Sequence, residues 1–241
     1  MTSLASVRQA RGLTLVEVLL CVGIMGILLS ILLPAAARAR DSARQTVSCS
    51  NLRQIFSTIE IYANDSGGRY PAIVEGRMYQ VSDAVWVSYS YWQIASVWPG
   101  VIYNYLAIDE IPDVFISPGS LRHEFPSSYA YSTSFAGSPL LWREEAAARP
   151  EYRRGQRVSD VTYPSAKVLL WDEELGFLRD EPRCIEVDLA ERVPTATADG
   201  AVRVRIPVDA TVPVVNPFQH PLDHQRLHNT RHGVAGVDYL D

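Results

Sequence analysis

The sequence predicts an α+β fold in which one long N-terminal helix lies on a C-terminal antiparallel β-sheet. Three observations point there. Residues 13–33 form an apolar run of 21 residues with one charge, Glu17, and ~20 apolar residues are enough to cross a bilayer as a helix. Leu52, Ile55, Phe56, Ile59 and Ala63 recur at i, i+3, i+4, i+7 and i+11, one face of an amphipathic helix. The segments that read as strands all follow Val161, and helix first, strands later is an α+β order.

Pro34 interrupts the apolar run. Inside a long helix a proline removes one backbone hydrogen bond and gives a bend rather than an end when neighbours satisfy the freed carbonyl. Helix formers resume at once in Ala35, Ala36, Ala37, Ala39 and Ala43, and Asn64-Asp65-Ser66-Gly67-Gly68 is the stop. The helix therefore divides into a membrane half over 13–34 and an amphipathic half over 35–64, followed by a globular part over 65–241.

Residues 72–150 are dense in aromatics: Tyr79, Trp86, Tyr89, Tyr91, Trp92, Trp98, Tyr103 and Tyr105 fall within 27 positions. They read as core and subunit interface, with a stacking surface for sugar or peptide as the other reading. Pro112, Pro118, Pro126 and Pro139 mark loops, and residues 142–154 are a candidate short helix. Further on, residues 167–171 are a continuous apolar strand, 184–189 alternate, and 202–206 alternate cleanly as an edge or half-solvated strand. The last two are candidates for a hairpin with a long connection. Residues 237–240 are a final candidate strand.

Composition narrows the function. The chain has 22 basic and 27 acidic residues, and Lys167 is its only lysine. Without Arg8 and Arg11 in residues 1–12 there would be 20 basic against 27 acidic residues, net −7. That balance argues against a nucleic-acid partner, which needs clustered Lys and Arg. Arg38, Arg40 and Arg44 follow the apolar run just as Arg8 and Arg11 precede it, so charge alone does not orient the span. A secretory signal would have a core of ~7–15 residues, shorter than this one. Leu20 is too bulky to precede a lipidated Cys21, and a plain anchor gives no reason for Gly12 and Glu17. An ionised carboxylate in a membrane helix costs roughly 2–3 kcal/mol, so Glu17 needs a partner or a role.

Arg8-Gln9-Ala10-Arg11-Gly12 followed by Leu13-Thr14-Leu15-Val16-Glu17-Val18-Leu19-Leu20 resembles the N-terminus of type IV pilins and type II secretion pseudopilins. The resemblance implies a leader over 1–12, cleavage after Gly12 by prepilin peptidase, and methylation of the new amine at Leu13, where the family usually has Phe. It implies that Glu17 pairs with the N-terminal amine of a neighbouring subunit and so sets register. It also implies a pilin-like fold and a non-enzymatic filament subunit whose partners are the peptidase, other pilin or pseudopilin subunits and the inner membrane. The N-terminus would be cytoplasmic and the globular part extracytoplasmic. Cys49-Ser50-Asn51-Leu52-Arg53-Gln54-Ile55, and Gly68-Arg69-Tyr70-Pro71 after the helix, are similar to the pseudopilin pattern as well.

Other chemistry is thinner. His220, His224, His228 and His232 stand four apart, a spacing that on a helix would place His224, His228 and His232 on one face as zinc ligands. That would suit an anchored extracytoplasmic binding protein or metal-dependent hydrolase, although Pro217, Pro221, Gly233 and Gly236 oppose a helix there. Asp172, Glu173 and Glu174 are oxygen ligands suited to calcium. No cofactor is expected otherwise, and no nucleophile–base arrangement stands out. Cys49 and Cys184 are a possible disulfide in an oxidising space. Residues 229–241 are similar to the C-terminal signature of a large pseudopilin-like group (Arg-His, a small-residue turn, a strand, Asp-Gly-His). His232 and Asp241 are one residue closer than usual and the Gly-His is lacking, so either the end is truncated or the motif has decayed.

Overall fold

The computed structural model describes residues 14–74, 77–82, 85–88, 94–106, 112–120, 127–142, 150–176, 190–214 and 226–240. Helix α1 is Leu15–Asp65 and runs through Pro34. It belongs to two compact units: Met1–Ala43, and Arg44–Asp241, which holds the rest of the fold.

In the first unit every described residue up to Arg40 is exposed. Here α1 is long and apolar enough to cross a membrane.

In the second unit the predicted stripe is the buried face. Leu52, Ile55 and Ile59 are fully buried, Ala63 nearly so, and Phe56 packs at the margin. Each such aliphatic side chain contributes roughly 1.5–3 kcal/mol relative to exposure. The helix stops where the glycines allow it: Gly68 N donates to Ala63 O at 2.8 Å, with Gly67 and Gly68 both at positive φ. This left-handed ending satisfies carbonyls the last turn leaves open.

The sheet has strands β3 (Tyr129–Tyr131), β4 (Val168–Asp172), β5 (Val193–Thr197) and β6 (Val202–Arg205), all antiparallel in that spatial order. A separate hairpin pairs β1 (Met78–Ser82) with β2 (Val85–Ser88). Short α-helices α2 (Ile94–Val97), α3 (Pro99–Leu106) and α4 (Thr133–Ala136) lie between the strands, with short 3-10 turns besides, among the described residues. Trp98, Tyr103, Phe115, Tyr129, Tyr131 and Leu170 join the α1 stripe in one core. The buried Tyr79, Trp98 and Tyr103 are therefore core, in line with that reading of the aromatic stretch. On the opposite side of the sheet Ala130, Val168, Trp171 and Val193 pack with Ala210, Leu227 and Tyr239. Coverage of both faces explains why β3, β4 and β5 are buried at every position.

Three sequence expectations change. Residues 202–206 do contribute a hairpin strand at the edge of the described sheet, with β5 as its hairpin partner, reached through the three-residue Ala198-Asp199-Gly200 loop between Thr197 and Ala201. Gly200 has φ +81° and a Cβ there would sit 2.7 Å from the Phe56 ring, so the turn needs glycine. Proline and alanine in Val193-Pro194-Thr195-Ala196-Thr197 obscure the strand signal. Residues 237–240 are not a strand. Asp238 N bonds Ala166 O and Thr211 N bonds Asp238 O, so the segment is held as an irregular cover. In the candidate helix 142–154 the described end is a 3-10 turn, Pro150–Tyr152; residues 143–149, like 184–189 and Cys184, lie outside the described residues.

Candidate functional site

Glu17 sits in the first turn of α1 and its neighbours are local. Thr14 N and Thr14 Oγ1 donate to Glu17 Oε2 at 2.8 and 2.9 Å, and Glu17 N donates to Thr14 Oγ1 at 3.3 Å. This is a reciprocal capping box, satisfying amides the helix start leaves unpaired. Thr14-Leu15-Val16-Glu17 is the Thr-x-x-Glu signature of that box. Oε2 is thus engaged within the chain, and Oε1 takes no partner among the described residues. Past it, Gly23 and Gly26 have nothing within 4 Å of where a Cβ would stand, and Ser30 Oγ returns its bond to Ile27 O. The helix presents a bare apolar surface with one carboxylate at its start. Gly12 and Leu13 lie outside the described residues.

The profile of the prokaryotic N-terminal methylation motif matches residues 7–33. This chain carries the prepilin-type motif. Glu17 and the exposed apolar helix lie inside it. Over 69 residues the chain is also 32% identical to the type II secretion system core protein G of Pseudomonas aeruginosa, a stretch covering 29% of this chain and 48% of that protein. The chain thus spans about half the length of the curated relative it matches. No solved structure matches it. The prepilin-type motif and the α+β architecture together bear out the resemblance to pilins and pseudopilins.

The histidines do not gather on a helix in the described part. Residues 226–232 are turns and bends, and Gly233–Ala235 is a 3-10 turn. His228 is buried edge-on against Trp171 at 4.6 Å between centroids, while His232 is exposed with φ 72°. Burial, then the nearby Lys167 charge, pushes the His228 imidazole down to about 3, so it is neutral, and its Nδ1 has no hydrogen-bond partner among the described residues. His220 and His224 lie outside the described residues. Among the described residues no cluster of three His, Cys, Asp or Glu could hold a metal ion.

Two buried polar clusters stand at the two ends of β4. Lys167 is fully buried and pairs with Asp238 Oδ2 at 2.9 Å; Thr230 Oγ1 bonds both, and Val168 N donates to Asp238 Oδ2 at 2.7 Å. Burial lowers the Lys167 ammonium against the pull of Asp238. This cluster pins the C-terminal segment to the start of β4. At the other end of β4, Asp172 Oδ2 accepts from Ser48 Oγ (2.6 Å) and Ser117 Oγ (2.7 Å), and Oδ1 from Leu175 N (2.9 Å). Burial raises its carboxyl to about 6. Glu174 accepts from Ser128 Oγ at 2.7 Å. Both Asp172 oxygens are therefore committed to protein donors, which a calcium ion would have to displace.

Proposed function

We propose that this protein is a pilin-like structural subunit that is cut after Gly12, methylated at Leu13 and assembled through its N-terminal helix into a type II secretion-like pseudopilus or type IV pilus-like filament. The observation that carries the reading is the prepilin-type motif over 7–33 with its single carboxylate at the start of a helix whose described residues up to Arg40 are all exposed. Before assembly that surface would sit in the inner membrane, N-terminus cytoplasmic and globular part outside. In the filament it would exchange lipid for neighbouring helices. The new amine at Leu13 would meet Glu17 Oε1 of a neighbour. In a low-dielectric surround an unpaired charge is heavily penalised, so the pair would reject subunits out of register.

The deciding measurement is the intact mass of protein extracted from its native membrane. A chain starting at Leu13 and heavier by one methyl group supports the proposal. A chain starting at residue 1 or 2, or after Ala37, overturns it.

A further inference from the structure

We propose that the outer edge of β6 is a docking strand for an extended segment of another polypeptide carrying carboxylates at alternate positions. Among the described residues β6 is the last strand in the sheet order. Its turn fixes which peptide groups face outward. Thr197 N donates to Ala201 O at 2.9 Å, and the register continues as Thr195 opposite Arg203 and Val193 opposite Arg205. Antiparallel bonding alternates along the ladder, so Arg203 and Arg205 bond inward to β5. Val202 and Val204 direct their N–H and C=O away from the sheet, and neither meets a backbone partner among the described residues. An edge of this kind is a template for one more strand.

The chemistry beside the edge states what that strand should carry. A groove of about 580 Å3 runs along β6, and among the described residues its charged lining is Arg192, Arg203 and Arg205 against Asp209. Arg192 and Arg203 are exposed, and Arg205 lies over the Tyr239 ring at 4.4 Å. This is a cationic strip on a chain whose net charge is −5. Leu240 stands 85% exposed at the same groove. A second copy offering its own β6 does not fit, because antiparallel pairing would set Arg203 and Arg205 against the same arginines. A strand with acidic residues two apart fits: its carboxylates fall on the face of Arg203 and Arg205, and its outward-facing peptide groups meet those of Val202 and Val204.

The test uses full-length protein in detergent micelles and a fluorescent, end-blocked peptide of alternating valine and glutamate. Two control peptides replace glutamate by lysine or methylate alternate backbone nitrogens. Binding is read by anisotropy. Val204→Pro removes one outward N–H at an edge position, where proline is tolerated, and Arg203→Glu reverses one charge. The acidic peptide should bind, each variant should weaken it by about tenfold or more, and both control peptides should bind at least as poorly. Amide exchange at Val202 and Val204 should also slow about tenfold in the native protein when the acidic peptide is added, a readout that does not depend on any variant folding. Absence of binding, equal binding of either control peptide, unchanged affinity in a folded Val204→Pro, or unchanged exchange at Val202 and Val204 would each overturn the proposal.

Discussion

Ser48 Oγ, in the second half of the long helix, donates a 2.6 Å hydrogen bond to Asp172 Oδ2 at the last residue of β4. The bond joins positions 124 apart in sequence and places a carboxyl under the helix where water does not reach. Asn51 Nδ2 and Tyr129 OH extend the polar seam, 3.1 Å apart. Helix and sheet are thus held by a buried acid as well as by apolar contact, and the acid's protonation enters the stability of the joint.

Asp172 is raised from 3.8 to about 6 by burial, with the Ser48, Ser117 and Leu175 bonds opposing. The folded state therefore holds a proton that the unfolded chain has already released. Its penalty is present above pH 6 and fades as the pH falls toward 4. Asp172→Asn removes the titration while keeping an oxygen acceptor and a group to which the serine hydroxyls can turn. The variant's stability relative to the native chain should rise by on the order of 2 kcal/mol between pH 4 and pH 7. Urea denaturation across that range checks it, and a pH-independent difference would contradict the account.

His228 has the opposite sign. Held down to about 3 by burial and the Lys167 charge, it stays neutral in the fold while the unfolded chain takes a proton below about 6.5. Stability is lost as the pH falls from 6.5 toward 3, partly cancelling the Asp172 slope. His228→Phe keeps an aromatic ring against Trp171 and discards an unsatisfied Nδ1. At pH 5 the variant should gain about 2 kcal/mol relative to its difference from the native chain at pH 8. Thermal unfolding at the two pH values measures this.

The Lys167–Asp238 pair predicts an asymmetry between single and double changes. Lys167→Met leaves a carboxylate at 2% exposure without its cation and should destabilise the second unit by about 3–5 kcal/mol. Adding Asp238→Asn removes the orphaned charge yet retains an oxygen for Val168 N, so the double variant should recover most of that loss. Denaturant midpoints of the two variants test this; a double variant no better than the single would show that packing, not charge, sets the cost.

Sequence periodicity was enough for α1 because its signal is local: the apolar run, the i, i+3, i+4 stripe and the glycine stop are each contained in a few turns. The edge strand β6 was legible for the same reason, since one solvated face produces alternation. β5 was not, because both its faces are covered and Pro194 and Ala196 carry little strand signal. The irregular cover at 237–240 read as a strand because Val, Tyr and Leu suit a strand, while the bonds that hold it come from Ala166 and Thr211, far away in the chain. The Ser48–Asp172 and Lys167–Asp238 clusters were invisible for that reason too: their partners lie 124 and 71 positions apart. At the N-terminus the motif made Glu17 legible, but the role of Thr14 beside it emerges only from the hydrogen bonds.

Glu17 has two separable parts to play under the proposed function, one for its oxygen and one for its charge. Its Oε2 completes the capping box with Thr14, a task glutamine also performs. Its negative charge would pair with a neighbour's amine, which glutamine cannot match. Glu17→Gln should therefore keep the helix start intact, remain in the membrane and be cleaved after Gly12 as the native chain is, yet enter filaments at about a tenth of the native level or less. Thr14→Val removes the local hydroxyl donor while leaving the carboxylate charged, so its cost falls on the helix start and it should assemble better than Glu17→Gln. Intact mass reports cleavage, and the variant's share of sheared filaments reports assembly. If Glu17→Gln assembled at the native level, Glu17 would be acting only as a helix cap, and register would have to be set by the apolar surface alone.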